Sequence, residues 1–410
     1  MTETNLRSID VEDFAVREHR SLWLDAWHRL TSNRTAMIGL VVVVIFILSA
    51  VLAHFLWDYD PKTDLNYSVK LLAPQLTTSE GSSLIHIFGT DKLGRDIFRR
   101  VVHGGWNSLR VGLVAVSISL VIGSILGLLS GFFEYIEMNA IESLVLMLLL
   151  GVIIGALPAW IARQPFQIVG YGVLGAGSVL LKQYTDIKKR YRFVIFTMAG
   201  ALMGVVFGIF SAPLVALVCG ILGLAIGILL ANPISGNLFS NIVMRIMDII
   251  LSFPSYLLAI AIVAFLGPGL EKGMLAIGFV GIPIYARLAR SAVLSVSQKE
   301  YVLAANAVGE SHPRILFRHI LPNILSPIIV QATMGLANAI LSAAALGFLG
   351  LGAVPPEPEW GAMLGESYKY LSSGAWWAVL FPGLAIMLSV LGFNLLGDGL
   401  RDALDPKIRI

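Results

Sequence analysis

The sequence predicts an all-α, polytopic transmembrane helical bundle, and three observations carry that prediction. Hydrophobic residues make up 57% of the 410-residue chain and charged residues only 13%, with a mean hydropathy of +0.81, a balance foreign to a soluble domain of this length. The apolar residues gather into about ten runs, of a length suited to crossing some 30 Å of hydrocarbon. Lys and Arg collect in segments that share one side of the membrane if the N-terminus is cytoplasmic. The net charge of +3 is too small and too dispersed for nucleic-acid binding. The single Cys219 lies in an apolar run, where it packs as a small side chain and forms no internal disulfide.

Taken in order, residues 1–35 read as a cytoplasmic N-terminus with an interfacial helix. Leu22, Trp23, Ala26, Trp27 and Leu30 share one face of it, with Asp25, His28 and Arg29 opposite. The first span, 36–56, is a retained anchor and not a cleaved signal peptide. Further spans are expected at roughly 108–133, 139–161, 166–181, 193–210, 212–231, 241–266, 273–294, 324–349 and 376–398. Five basic residues precede the first span, five lie in 182–192, five in 287–322 and three in the C-terminal tail, which places both termini inside. Residues 57–107 then lie outside with six basic residues; long translocated segments obey the charge rule poorly. Gly123, Gly127 and Gly131, and likewise Gly200, Gly204 and Gly208, share helix faces suited to close packing. Pro254 and Pro283 are expected to kink their spans. Arg110, Glu142, Arg245, Arg287 and Arg290 fall near span ends, and Asp248 is spaced to pair with Arg245.

One long polar interruption breaks the apolar pattern late in the chain, from Lys299 through Glu300, Leu303, Ala304, Ala305 and Gly309 to Arg318, His319, Leu321, Pro322 and Asn323. Ala304, Ala305 and Gly309 place small residues a helical turn apart, where another backbone can approach. His312, Pro313 and Arg314 begin a second helical run. This segment resembles the EAA motif, the cytoplasmic coupling loop of ABC-importer permeases. The family usually carries Glu where this chain has Leu303. The resemblance implies that Leu303, Ala304, Ala305, Gly309, His319, Leu321 and Pro322 make the ATPase-coupling surface.

A second motif precedes the second span: Gly89, Thr90, Asp91, Gly94, Arg95 and Asp96. On spacing alone it reads as a charged surface helix, with Asp91 able to pair with Arg95 and Asp96 with Arg99 and Arg100. The string is similar to a signature of the dipeptide and oligopeptide branch of ABC permeases. Blocks at Gly347–Gly352, Pro355–Gly361, Trp376–Trp377, Pro382–Gly383 and Asn394–Pro406 resemble the C-type subunit of that branch. The implied organisation is the cytoplasmic N-terminus (1–35), the first permease spans with an external loop (36–133), an inserted segment of four spans (134–236) and the rest of an ABC importer type I core with its coupling loop (237–410).

No nucleophile with its base, metal-ligand cluster or phosphate-cradling Gly-x-x-x-x-Gly-Lys-Ser/Thr loop stands in the sequence. No catalytic or metal-binding residue is therefore assigned. The resemblance implies a non-catalytic permease subunit of an ATP-driven peptide importer in a bacterial or archaeal cell membrane, surrounded by membrane lipid. Its implied partners are a second homologous permease, two cytoplasmic ATP-binding subunits that carry ATP and Mg, and an extracytoplasmic substrate-binding protein delivering cargo near Asp91–Arg100 and Pro355–Trp360. Nickel complexes, glutathione and other small cargoes of the same family stand as alternatives. So do a secondary transporter, which would show inverted repeats and midplane charges, and a scaffold that kept the fold without transport.

Overall fold

The computed structural model describes residues 22–56, 59–78, 85–135 and 236–404, with scattered helical positions between 148 and 205. Its helices are α1 (Leu22–Ser32), α2 (Arg34–Leu56), α3 (Ile97–Tyr135), α4 (Gly236–Ser252), α5 (Ser255–Leu266), α6 (Leu270–Ser297), α7 (Glu300–Ala307), α8 (His312–Phe348), α9 (Trp360–Ser367) and α10 (Trp377–Leu404). Among the described residues, α2, α3, α6, α8 and α10 are long and apolar enough to span a membrane, and α4 with α5 supplies a sixth candidate. The runs at 139–161, 166–181, 193–210 and 212–231 lie largely outside the described residues, as do Gly204, Gly208, Cys219 and Glu142. The fold is all-helical where described, with a single isolated bridge between Thr90 and Asp96.

Several boundaries differ from expectation for identifiable reasons. The 241–266 run is two helices meeting at 89°, because Pro254 adopts an extended backbone and starts α5 afresh. By contrast, α6 continues through Pro283. Helix α3 begins at Ile97, well ahead of its apolar run, because Asp96 caps it: its Oδ1 accepts the Arg99 N–H at 2.8 Å.

The chain divides into two compact units, Met1–Leu113 with Pro268–Glu271 and Ile329–Ile410, and Val114–Gly267 with Lys272–Ile328. In the first, α2 packs along α10 at backbone distance; a Cβ on Gly399 would stand 2.2 Å from that of Ala36. Phe46 meets Trp360 and Phe393 at ring-centroid distances of 5.2 and 6.2 Å, within a core that includes Val43, Ile97, Ile340 and Trp377. In α1, Leu30 is buried against Ala36 and Ala403 while Trp27 is exposed.

In the second unit, α3 lies against α6. Backbone contact this close suits helices that associate in lipid through packing, with no hydrophobic drive between them. A Cβ on Gly123 would reach 2.5 Å from the Ile282 carbonyl, and one on Gly127 would reach 2.2 Å from that of Ala286. Below this seam Phe132 joins Val293, Val296, Val302, Ile315 and Ile320 in one apolar cluster.

Gly127→Ala is therefore expected to lower the stability of the purified protein by about 1–3 kcal/mol, the usual range for overpacking, read as a fall in melting temperature. Gly383 has nothing within 4 Å of the same position, so Gly383→Ala is the matched control and should be neutral or slightly stabilising. Equal melting temperatures for the two variants would refute the close approach.

Candidate functional site

The polar interruption folds as a helical hairpin between two long helices. Helix α6 ends at Ser297, whose hydroxyl donates to the Val293 carbonyl at 2.8 Å. Lys299 is extended, and α7 follows. Val302 anchors α7 by packing, fully buried, among Val296, Ile315, Leu316 and Ile320, which is worth about 1.5–3 kcal/mol relative to an exposed side chain. Leu303, Ala304 and Ala307 point outward, as does Val308 just past the helix, which is 88% exposed. Ala305 is half-buried.

Gly309 does not extend the helical face that its spacing suggested. It stands just past the helix end with φ +83°, where its N–H donates to Asn306 O (3.0 Å) and the Glu310 N–H to Ala305 O (3.1 Å). This pair of bonds satisfies carbonyls that the helix leaves over and requires a left-handed residue. Glu310, which the sequence reading did not single out, then bonds to His319 (Oε2 to Nε2, 2.8 Å) and approaches Arg314 Nε at 3.8 Å. Nine residues separate Glu310 from His319, so no helical periodicity flags the contact. Ile315–Ile320 is wound as a π-helix, directly ahead of Pro322, which cannot donate the bond an α-turn would ask of it. Asn323 Nδ2 donates to His319 O at 2.7 Å. The result is a short, firmly rooted helix with Tyr301, Leu303, Val308 and Phe317 exposed.

The second motif is not a charged surface helix. Gly89 and Gly94 take φ of +75° and +76°, and a Cβ on Gly94 would fall 1.7 Å from the Asn66 carbonyl oxygen. Thr90 Oγ1 accepts the Leu72 N–H and donates to the Val69 carbonyl, while Trp377 Nε1 donates to Thr90 O at 3.1 Å. Arg95 is 1% exposed; its Nε donates to Asp91 Oδ2 and its Nη2 to Glu366 Oε2, each at 2.6 Å. Arg100 reaches the same two carboxylates. Burial works against the Arg95 charge, and Asp91 and Glu366 outweigh it, raising its pKa.

Local pairing thus holds for Asp91 with Arg95 but not for Asp96. Asp96 bonds His86 at 2.7 Å, Arg99 pairs with Asp64, and Arg100 turns to Asp91 and Glu366. Two cations and two anions buried together balance in charge, and removing one partner of such a set typically costs about 3–5 kcal/mol. Buried side chains of this kind form a scaffold, so Asp91, Arg95, Asp96 and Arg100 do not themselves offer a docking surface.

Glu359 caps α9, its two carboxylate oxygens accepting the Gly361 and Ala362 N–H groups at 2.8 Å. Gly347 leaves room for it, since a Cβ there would lie 2.1 Å from Glu359 Oε2.

Two polar ties join α4 to α6 in the second unit. Arg290 bonds Glu134 (Nη2 to Oε2, 2.7 Å) and Ser240 (3.0 Å), and Ser240 links to Ser130 at 2.9 Å. Asp248 pairs with Arg287 and not with its chain neighbour Arg245, because packing of α4 on α6 brings that guanidinium to it.

Long apolar helices with a short rooted helix exposed between two of them define a polytopic membrane protein. The family description "binding-protein-dependent transport system inner membrane component" matches residues 223–410, and "N-terminal TM domain of oligopeptide transport permease C" matches 21–74. The chain is 38% identical over 389 residues to the dipeptide transport system permease protein DppC of Alkalihalophilus pseudofirmus, covering 95% of this chain and 91% of that one. It is 35% identical to the di/tripeptide transport system permease protein DppC of Pseudomonas aeruginosa, with coverage of 93% and 91%. Identity to the glutathione transport system permease protein GsiD of Pectobacterium atrosepticum is 32%, with coverage of 95% and 93%. The chain belongs to this family of ABC-importer permeases, multi-pass proteins of the inner membrane.

Burial pushes the Glu359 carboxyl up to about 7, against the lowering effect of its two backbone bonds. The folded protein thus holds a proton that the unfolded chain releases near 4.5. The stabilisation is complete below pH 4.5 and is lost as pH rises through 7, by up to about 3 kcal/mol. The melting temperature should fall between pH 5 and pH 8, and Glu359→Gln should flatten that slope; an unchanged slope in the variant would contradict the assignment.

Proposed function

We propose that this chain is the C-type permease subunit of an importer for dipeptides and oligopeptides, coupling closure of partner ATPases to passage of the peptide. The observation that carries the reading is the rooted, exposed α7 with its Gly309 cap. A helix held by Val302 and by the Glu310–His319 pair transmits a push to α6 and α8 without dissipating it in loop motion. The shallow surface left by Ala304, Ala307 and Gly309 suits a cleft on an ATP-binding subunit. Leu303 stands outward, 48% exposed, so the position given to Glu elsewhere in the family lies on the contact surface. Here it contributes apolar area. Glutathione is itself a peptide, and the similarity to the glutathione permease keeps it as a second cargo reading.

In this reading a second permease, two ATP-binding subunits carrying ATP and Mg, and an external binding protein complete the transporter. Both termini are cytoplasmic, and about ten spans include four in an accessory insertion over roughly 134–236. The neck of that insertion favours the accessory role. Glu134 and Ser240, on either side of it, are tied through Arg290, and Phe133 stacks edge-on against Phe239 at 5.9 Å.

Gly309→Trp is expected to leave membrane insertion intact and to cut ATP-driven uptake and binding-protein-stimulated ATP hydrolysis in the assembled complex by about tenfold or more, since it disfavours the left-handed cap and adds bulk to the contact. Leu303→Glu should be tolerated. Full activity in Gly309→Trp would count against this surface as the coupling element.

A deletion that joins Tyr135 to Gly236 keeps Glu134 in its network and should still insert, assemble and import peptide. Joining Phe133 to Gly236 removes Glu134, strands the Arg290 charge and should yield less stable protein. Assembly without import in the Tyr135 junction variant would assign the insertion to transport itself.

A further inference from the structure

The two polar ties between α4 and α6 are built differently. The Arg290 guanidinium donates to Glu134 and Ser240, its side chain and that of Glu134 being 28% and 30% exposed. Arg287 and Asp248 share a single hydrogen bond among the described residues, from Nη2 to Oδ1. Their side chains remain 53% and 42% exposed. Ile246, Ile249, Phe279 and Ile284 are exposed around them on the same two helices.

Lipid is a poor neighbour for such a pair, because each charge costs about 2.5–3.5 kcal/mol at the centre of a span even on insertion scales. Charges that persist in membrane helices face water-filled cavities or protein. Arg287 lies ten residues before the end of α6, about 15 Å along its axis, so headgroup snorkelling from that end would require most of the remaining depth. The pair also sits beside two irregularities: Asp248 precedes the 89° break between α4 and α5, and Arg287 follows Pro283 by one turn. Helix α6 runs directly on to α7 through Lys299.

We propose that Asp248 and Arg287 line the cargo path and hold the two charged termini of a peptide in transit, Arg287 taking its carboxylate and Asp248 its ammonium group. This rests on the reading of the protein as a peptide importer. A zwitterion offers the complement of each charge, and exchanging one intraprotein bond for two to cargo leaves binding favourable but weak. Weak binding is what passage needs, since a site on a conduction path must both accept and release. The firmly satisfied Arg290–Glu134 tie, one turn further along α6, keeps the two helices together while the outer pair opens.

The test uses the complete transporter in proteoliposomes, with both permeases, both ATPases and the binding protein, in a Cys219→Ala background that leaves this chain without cysteine. Asp248→Asn and Arg287→Gln should each lower dipeptide uptake at least about tenfold, as truncating one member of a working charge pair does. Each variant should still assemble with the second permease and both ATPases as the parent does. Arg287→Cys should react with an anionic, membrane-impermeant thiosulfonate during ATP turnover, and excess dipeptide with the binding protein should slow that reaction. Undiminished uptake in both neutral variants overturns the proposal, as does labelling that dipeptide fails to slow. Absence of labelling places the pair against lipid or the partner permease and also overturns it. If the Cys219→Ala parent imports no dipeptide, the cargo reading itself fails; labelling at position 287 then still decides whether the pair lines a wetted path.

Discussion

The second unit depends on the close approach of α3 and α6. In lipid, helices gain little by hiding apolar surface from each other, since the tails are as apolar as leucine, and van der Waals contact must supply the association. Gly123, Gly127 and Gly131 let the α3 backbone touch α6 at Ile282, Ala286 and Val293. Everything functional in that unit is referenced to this seam. Phe132 reaches the cluster that roots α7 only because α3 lies at this distance. Glu134 reaches Arg290 for the same reason. A methyl group at Gly127 therefore acts on the packing that roots α7 without touching that helix.

The first unit meets a different constraint, that of burying charge. Asp91, Arg95, Arg100 and Glu366 are acceptable together and costly apart, so the segment that leads into α3 is locked to the last turn of α9. The positive φ of Gly89 and Gly94 lets the turn close tightly enough for Asp91 to receive both guanidinium groups. Conserving charge in this arrangement does not require exposure, and a motif dense in Asp and Arg turns out to be an interior bracket.

These outcomes show what the residue pattern could and could not carry. The apolar runs among the described residues, the helical character of the polar interruption and the Gly123, Gly127 and Gly131 face were legible, because hydropathy and helical spacing are local properties. The bend at Pro254 was legible as a kink but not as a right angle, since the extended backbone there depends on what α4 and α5 each pack against. Partners far apart in the chain were not legible at all: Glu366 lies 271 residues from Arg95, and Arg287 lies 39 from Asp248. For Asp96 and Asp248, i,i+3 or i,i+4 spacing offered a nearer partner, Arg99 or Arg100 and Arg245 respectively, and tertiary packing chose His86 and Arg287 instead. Gly309 shows the same limit at short range, where a helical-face reading of small residues missed that the last one ends the helix.

Arg287 and Arg290 occupy one helix, three residues apart, and their surroundings divide two tasks that a transporter must keep separate. A tie that holds helices together works best when several partners share it, as for Arg290 with Glu134, Ser240 and, through it, Ser130. A group that must meet a passing ligand works best with donors and acceptors to spare, as for Arg287 and Asp248 with their one bond among the described residues. Because α6 passes both groups and then leads into α7, a displacement of α7 would act first on the multiply bonded layer and then on the singly bonded one. In the proposed transport role the firm layer transmits the motion as a rigid joint, and the loose layer is where it changes what the helix offers to cargo. In that proposed role, hydrogen bonding graded along one helix would turn a mechanical stroke into a change of affinity.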